Sequence, residues 1–254
     1  MTDSTELNLR KQGLQFRKVS LIEPSENFYL HIAAEIDKSF FPFYLTTSNK
    51  KKKLIEQCKE FCNFIEGENE IVDAVVFKAR LIPPGKSKLI EERKGQVHFA
   101  KFDLAILIEA KSEEAIHSLI KTDNFIQMET SIKKSSTFTH TITASNIYRI
   151  NSVDHKRQGV FLFNYFFADS LQQNLDIWEK TAGWFQQETG LDNSTVLLPT
   201  DQQKSEYTIL NHCRWDKLKN ILPSLIFKKS FTSYVLDTFY ENKIAAMPVL
   251  YKIA

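Results

Sequence analysis

The run VFLFNYFFA, residues 160–168, decides how this chain folds. Its aromatic and aliphatic residues, broken by one polar side chain at Asn164, read as a β-strand. Neighbouring strand side chains point to opposite faces. Phe161, Phe163, Tyr165 and Phe167 therefore share one face, and Val160, Leu162 and Phe166 the other. A strand that is apolar on both faces must be covered on both.

The flanking sequence supplies that cover. SLQQNLDIWEKTAGWFQQETG (170–190) places Leu171, Leu175, Trp178, Ala182 and Phe185 near one side at helical spacing and stops at Gly190. NSTVLLP (193–199) and EYTILNHCRW (206–215) read as strands around the turn-like TDQQKS. Residues 216–241 are mostly helical with a break near Pro223, and MPVLYKIA (247–254) is a closing strand. The order is βαββαβ.

The same order precedes it. NFYLHIAAEI (27–36) is a strand, and residues 50–67 space Leu54, Ile55, Cys58, Phe61, Cys62 and Ile65 as a helix ending on Gly67. EIVDAVVFKARLIPPG (70–85) and VHFAKFDLAILIEA (97–110) are two long strands joined by a charged loop. Ser112, Glu113 and Glu114 open a helix whose apolar stripe is Ala115, Ile116, Leu119 and Ile120, and TITASNIYRI (141–150) completes the set. The polar stretch NSVDHKRQG (151–159) bridges a first repeat at 26–151 and a second at 159–254, behind an N-terminal arm at 1–25.

A βαββαβ unit forms one antiparallel sheet with helices on one face and leaves the other face bare. Two units hide those faces by turning them toward each other. The predicted fold class is therefore α+β: two tandem ferredoxin-like βαββαβ repeats forming a single-chain dimeric α/β barrel. Because the repeats can satisfy internally what single units obtain by pairing, the reading leaves both a monomer and a homodimer open.

Composition narrows the function. The 254 residues are 43% hydrophobic and 12% aromatic, enough for a sizeable core. Lys plus Arg number 33 against 31 Asp plus Glu, and a net charge of +2 gives no field for nucleic acid or an anionic membrane. No apolar run approaches the ~20 residues of a membrane span. Cys58, Cys62 and Cys213 make no disulfide framework and the start of the chain has no apolar signal core, so a cytoplasmic protein is expected. Cys58 and Cys62 read as small buried hydrophobes rather than a redox pair. The run Lys50 to Lys53 reads as a solvated helix start, and Lys101, Asp103 and Glu109, with Lys78 and Arg80, as a solvated end of the sheet. The histidines show no metal-ligand spacing, so no metal site is expected, and no P-loop or nucleophile elbow occurs.

The segment YTILNHCRWDKLKNILPSLIFKKSF (207–231) resembles the strand-to-helix signature of the antibiotic biosynthesis monooxygenase superfamily, with Trp215 ending the strand, Asp216 opening the helix and Phe231 following. Residues 106–125 share the frame through Lys111, Ser112, Ala115, Ile116, Asp123 and Phe125, with Ala110 where the Trp would stand. The resemblance covers most of 95–254 and implies a barrel with a pocket between each sheet and its helices. It also implies two chemistries, cofactor-independent oxidation of aromatic polyketides and haem degradation.

Asn211 and Trp215 lie on one side of their strand, and cofactor-free members of the superfamily are similar in placing such a pair beside substrate. There the amide hydrogen-bonds a phenol or enolate oxygen and the indole stacks on rings, so Asn211 and Trp215 are the candidate catalytic residues. The matching Tyr and Arg of the following helix are missing. Asn164, with Phe166, is the candidate substrate contact, since haem-degrading relatives are similar in using an Asn on this strand; a structural hydrogen bond is the plainer reading of that amide. His212, the titratable group nearest the pair, is a further candidate substrate contact, although alternation puts it on the opposite face, where a structural role fits better. The family's helical His has no match, so no cofactor is expected. The reading is a cofactor-independent monooxygenase-like protein that binds an aromatic or apolar small molecule. Its alternatives are a non-catalytic binding or scaffold protein of the same fold and a haem-binding protein.

Overall fold

In the computed structural model, which describes residues 16–37, 42–84, 88–93, 95–201 and 205–254, β1 (Phe28–Glu35) leads into α1 (Asn49–Ile65) and β2 (Ile71–Leu81). After the short α2 (Lys88–Glu92) come β3 (Leu104–Ala110), α3 (Glu113–Leu119), α4 (Asp123–Ser135) and β4 (Phe138–Arg149). The second unit runs β5 (Val160–Ala168), α5 (Leu171–Thr189), β6 (Thr195–Pro199), β7 (Ile209–Trp215), α6 (Leu222–Phe227), a π-helical turn (Phe231–Leu236), α7 (Asp237–Glu241) and β8 (Ile244–Ile253). Local chemistry explains the helix ends. Ser48, Ser112, Thr122 and Ser170 each accept a backbone N–H at the start of their helices, and Gly190 closes α5 in the left-handed conformation at φ 68°.

The eight strands close into one barrel in the order β1-β3-β2-β8-β5-β7-β6-β4. Each repeat contributes a sheet of order fourth, first, third, second. The seams join the second strand of one repeat to the fourth strand of the other, β2 to β8 and β6 to β4. Every pairing is antiparallel. The two sheets thus cover each other, as the doubly apolar 160–168 strand requires.

Side chains from both repeats fill the lumen. Phe77 lies 5.2 Å from Phe161 and 5.2 Å from Phe163, and Tyr165 lies 4.9 Å from Phe102 and 5.1 Å from Tyr207. The Tyr251 hydroxyl donates to the Phe102 carbonyl at 2.9 Å, which satisfies a polar atom buried there. Outside the barrel, α1, α3 and α4 cover the first sheet over Leu30, Ile32, Val76 and Ile106, and α5 to α7 cover the second over Leu162, Phe166, Cys213 and Leu250.

Several expectations are corrected. Residues 97–103 are irregular rather than the start of a strand, because Phe102 is drawn down to plug the lumen. Pro223 does not break a helix; it occupies the first turn of α6, where its missing N–H costs nothing, and the break falls after Phe227. The helix opened by Ser112 is two helices. Described from Phe16 onward, the arm is irregular yet packed: Val19 is buried against the second repeat, and Gly183 lets the Arg17 carbonyl approach so closely that a Cβ there would lie 1.9 Å from it. Lys51 and Asp103 are not solvated. They form a buried ion pair at 2.7 Å, with Asp103 also accepting the Ile36 and Asp37 N–H groups. Cys58 and Cys62, by contrast, are buried in the first helix layer as expected, and burial pushes the Cys58 thiol up to about 12.

Burial holds the His31 imidazole down to about 3 and that of His140 to about 4, and His212 well below its ordinary value. In the unfolded chain such groups take up protons near pH 6.5. Between those values the unfolded state holds more protons, so stability rises with pH and is lost as pH falls below about 6.5. Urea unfolding between pH 7.5 and 5.5 is expected to show that loss, approaching about 1.4 kcal/mol per pH unit for each such histidine well below 6.5. His31→Leu is expected to reduce the slope, and a pH-independent midpoint would contradict the account.

Candidate functional site

The resemblance directs attention to the space between the second sheet and its helices. In β5, Leu162, Asn164 and Phe166 point toward the helices, and Phe161, Phe163 and Tyr165 toward the lumen. Asn164 pairs in register with Asn211 of β7 on one side and with Pro248 of β8 on the other. Above it, Phe231, Val235 and Leu236 of the π-helical turn, with Phe239 of α7 and Ile221 and Leu225, enclose a cavity of about 40 Å³. The π-turn contributes Phe231, Val235 and Leu236 to this wall.

Asn164 is the one polar side chain lining the cavity, and its Oδ1 has no hydrogen-bond partner among the described residues. The residue is 9% exposed. A buried amide left unpaired costs about 1–3 kcal/mol, so the chain pays for a hydrogen-bonding group aimed into an apolar space.

The structure separates the other candidates. Asn211 is adjacent in register, but its Oδ1 accepts the Ser194 hydroxyl at 2.5 Å. The Trp215 indole N–H donates to Thr189 Oγ1 at 3.0 Å, and the ring packs in the same helix layer away from the cavity lining. Phe166 supports the wall, edge-on to Phe239 with centroids 5.7 Å apart. His212 lies on the other side of the sheet, in the lumen, stacked on Phe163 at 4.1 Å. Its Nδ1 donates to the Leu162 carbonyl at 2.9 Å, leaving Nε2 to accept from His155 Nε2 at 2.8 Å, and His155 Nδ1 meets the Asp73 carboxylate. That relay ties the inter-repeat bridge to the barrel. Among the described residues no three His, Cys, Asp or Glu side chains come together as a metal site, and no helix is long and apolar enough to cross a membrane.

Sequence reasoning missed the way into the cavity. Pro83 and Pro84 follow the last residue of β2, whose pairing with β8 stops at Leu81 opposite Leu250. From Val249 back to Ile244, β8 pairs only with β5, and Pro248 within that stretch has no N–H to offer a further strand. The opened seam is a cleft of about 360 Å³, lined by Pro42, Phe43, Leu81, Ile82, Phe99, Leu222, Ile226 and Met247 besides the walls it shares with the cavity, Pro83, Pro84, Ala246 and Pro248. Pro42 and Phe43 come from the long β1–α1 connection, which is held along β2 by Ile82 N–H donating to the Pro42 carbonyl and Tyr44 N–H to that of Arg80. The buried Lys51–Asp103 pair anchors both ends of that connection, through Ile36 and Asp37 at its start and α1 at its end. A proline inside the 247–254 strand was the one signal in the sequence for this opening.

No family model matches the sequence, and no curated protein matches it. Solved structures do resemble it in shape. An anthrone oxidase-like protein superimposes with TM-score 0.62 at 11% identity, covering 92% of this chain and 94% of that one. A candidate monooxygenase of Fusobacterium nucleatum subsp. nucleatum superimposes with TM-score 0.55 at 9% identity, covering 90% and 93%. The fold is that of a dimeric α/β barrel written in one chain.

Asn164→Leu fills the same volume without an unpaired amide and is expected to stabilise the protein by about 1–3 kcal/mol. Chemical unfolding measures it, and a destabilised variant would show that the amide is structurally engaged.

Proposed function

We propose that the second repeat binds an aromatic or apolar small molecule beneath α6, the π-turn and α7, with Asn164 as its polar contact, in a monooxygenase-like protein. The single observation that carries this is the unpaired Asn164 amide in an otherwise apolar cavity. Such a site orients a ligand by one hydrogen bond and holds it by apolar burial. The similarity in shape to an anthrone oxidase-like protein supports an oxidisable ligand. In the oxygenase reading, the ligand's enol or phenol oxygen bonds to Asn164, charge that develops on it is stabilised by the amide N–H, and Leu162, Phe185, Phe231 and Phe239 form the apolar wall around it.

A second reading, binding without turnover, is favoured by a different observation. No titratable side chain lines the cavity among the described residues, so a proton acceptor would have to be the substrate or the solvent. The polar atoms of Asn211 and Trp215 are also already bonded to Ser194 and Thr189. A haem reading lacks support, because no His, Cys, Met or Tyr lines the cavity.

Oxygen uptake and intrinsic tryptophan fluorescence, measured together while anthrone or a simple quinol is titrated into the full chain, separate these readings. Saturable quenching that Asn164→Leu weakens by roughly tenfold or more is expected, corresponding to the loss of one buried hydrogen bond. Uptake of oxygen above the uncatalysed rate supports the oxygenase, and quenching without uptake supports the binding protein. Binding of neither compound class, or binding indifferent to Asn164, would overturn the assignment.

A further inference from the structure

The small cavity and the larger cleft are two parts of one space, since Pro83, Pro84, Ala246 and Pro248 line both. Their sizes and linings differ in a way that specifies an occupant. The inner part is about 40 Å³. The space beside Asn164 is thus a small recess. The outer part, at about 360 Å³, is some nine times larger. Most of any ligand that reaches Asn164 must therefore lie in the cleft.

No polar side chain lines the cleft among the described residues, and its walls come from both repeats. An ionised head beside Asn164 would be a buried charge facing a single neutral amide, which costs several kcal/mol without an opposite charge. A neutral head with one O–H or N–H donor costs nothing of that kind and relieves the unpaired Asn164 Oδ1. The outer rim carries Phe43 at 45% and Ile226 at 55% exposure, with Phe227 beside it at 79%. Apolar surface therefore continues from the cleft to the outside, where the far end of a long ligand would rest.

We propose that the ligand is a slender neutral amphiphile: an unbranched aliphatic chain with a small terminal hydrogen-bond-donating head, such as a primary alcohol. The head meets Asn164, and the chain runs past Pro83 and Pro248 along the seam between the repeats. This rests on the reading of the Asn164 cavity as a ligand site and names the class of molecule it takes. It also gives the first repeat a part in the site of the second, because the β1–α1 connection supplies Pro42 and Phe43.

The test is binding of primary alcohols of six to twelve carbons to the full chain, read by tryptophan fluorescence and calorimetry, beside fatty acids of equal length and the compact rings phenol and 1-naphthol. Affinity for the alcohols is expected to rise roughly threefold to fourfold per methylene until the cleft is filled, and to exceed that of the ionised acids at pH 8. Ile226→Glu and Phe43→Glu, at exposed rim positions, are expected to lower that dependence on chain length, and Asn164→Leu to abolish the preference for alcohol over alkane. If the rings bind in an Asn164-dependent manner while alcohol affinity is flat with length, the cavity stands and the aliphatic assignment falls. If acids bind as tightly as alcohols, the neutral head is wrong. If nothing binds in an Asn164-dependent manner, the ligand site itself is refuted together with this inference. Thermal midpoints of the rim variants establish that they fold.

Discussion

Closing eight strands into a ring creates a lumen that must be filled, and here aromatic side chains from both repeats fill it. That constraint governs the rest of the molecule. Because Phe77, Phe161, Phe163, Tyr165 and Tyr251 occupy the inside, space for a ligand is found outside, between the second sheet and its helices. The same alternation that sends Phe163 inward sends Leu162 and Asn164 outward. Neither face of β5 is free to change without the other, since a slip of one residue would put the amide into the aromatic lumen and the rings under the helices.

The two repeats share a topology and divide the labour. In the first, Leu30 and Ile32 of β1 pack outward into the helix layer, and buried thiols add to that layer. In the second, an asparagine stands in the corresponding layer with a π-turn above it. The first repeat serves the second through its long β1–α1 connection, which is brought to the seam and held there by a buried ion pair. Charges taken out of water are poor value as stabilisers compared with apolar packing. The Lys51–Asp103 pair makes sense as a device of position: with the Ile36 and Asp37 N–H groups it fixes where the connection leaves β1 and where α1 begins.

Much of this was legible in the sequence. Period-two alternation put Phe161, Phe163 and Tyr165 on one face of 160–168 and set His212 opposite Asn211 on its own strand, and element order gave the duplication, because both signals are local. The Lys51–Asp103 pair was not legible, since Lys51 sits among Lys50, Lys52 and Lys53, which are exposed, and its partner lies 52 residues away. The plug formed by Phe102 was hidden inside a run that alternates like a strand. The cleft was invisible for a different reason: its walls come from segments that only the closed barrel brings together, and the sole local hint was Pro248 in a strand. Trp215 matched a family signature by position, but its indole is engaged by Thr189, a contact between the end of a strand and the end of a helix that no spacing rule reports.

The central claim, that the barrel is solid and the vacant apolar space lies beneath the helices of the second repeat, is tested most directly by locating xenon in crystals of the protein under pressure. Xenon enters apolar cavities without needing hydrogen bonds. The account predicts xenon density beside Asn164 and Phe231, with further density along the seam at Pro83 and Pro248. Density among Phe77, Phe163 and Tyr251 instead, with none beneath the π-turn, would contradict it.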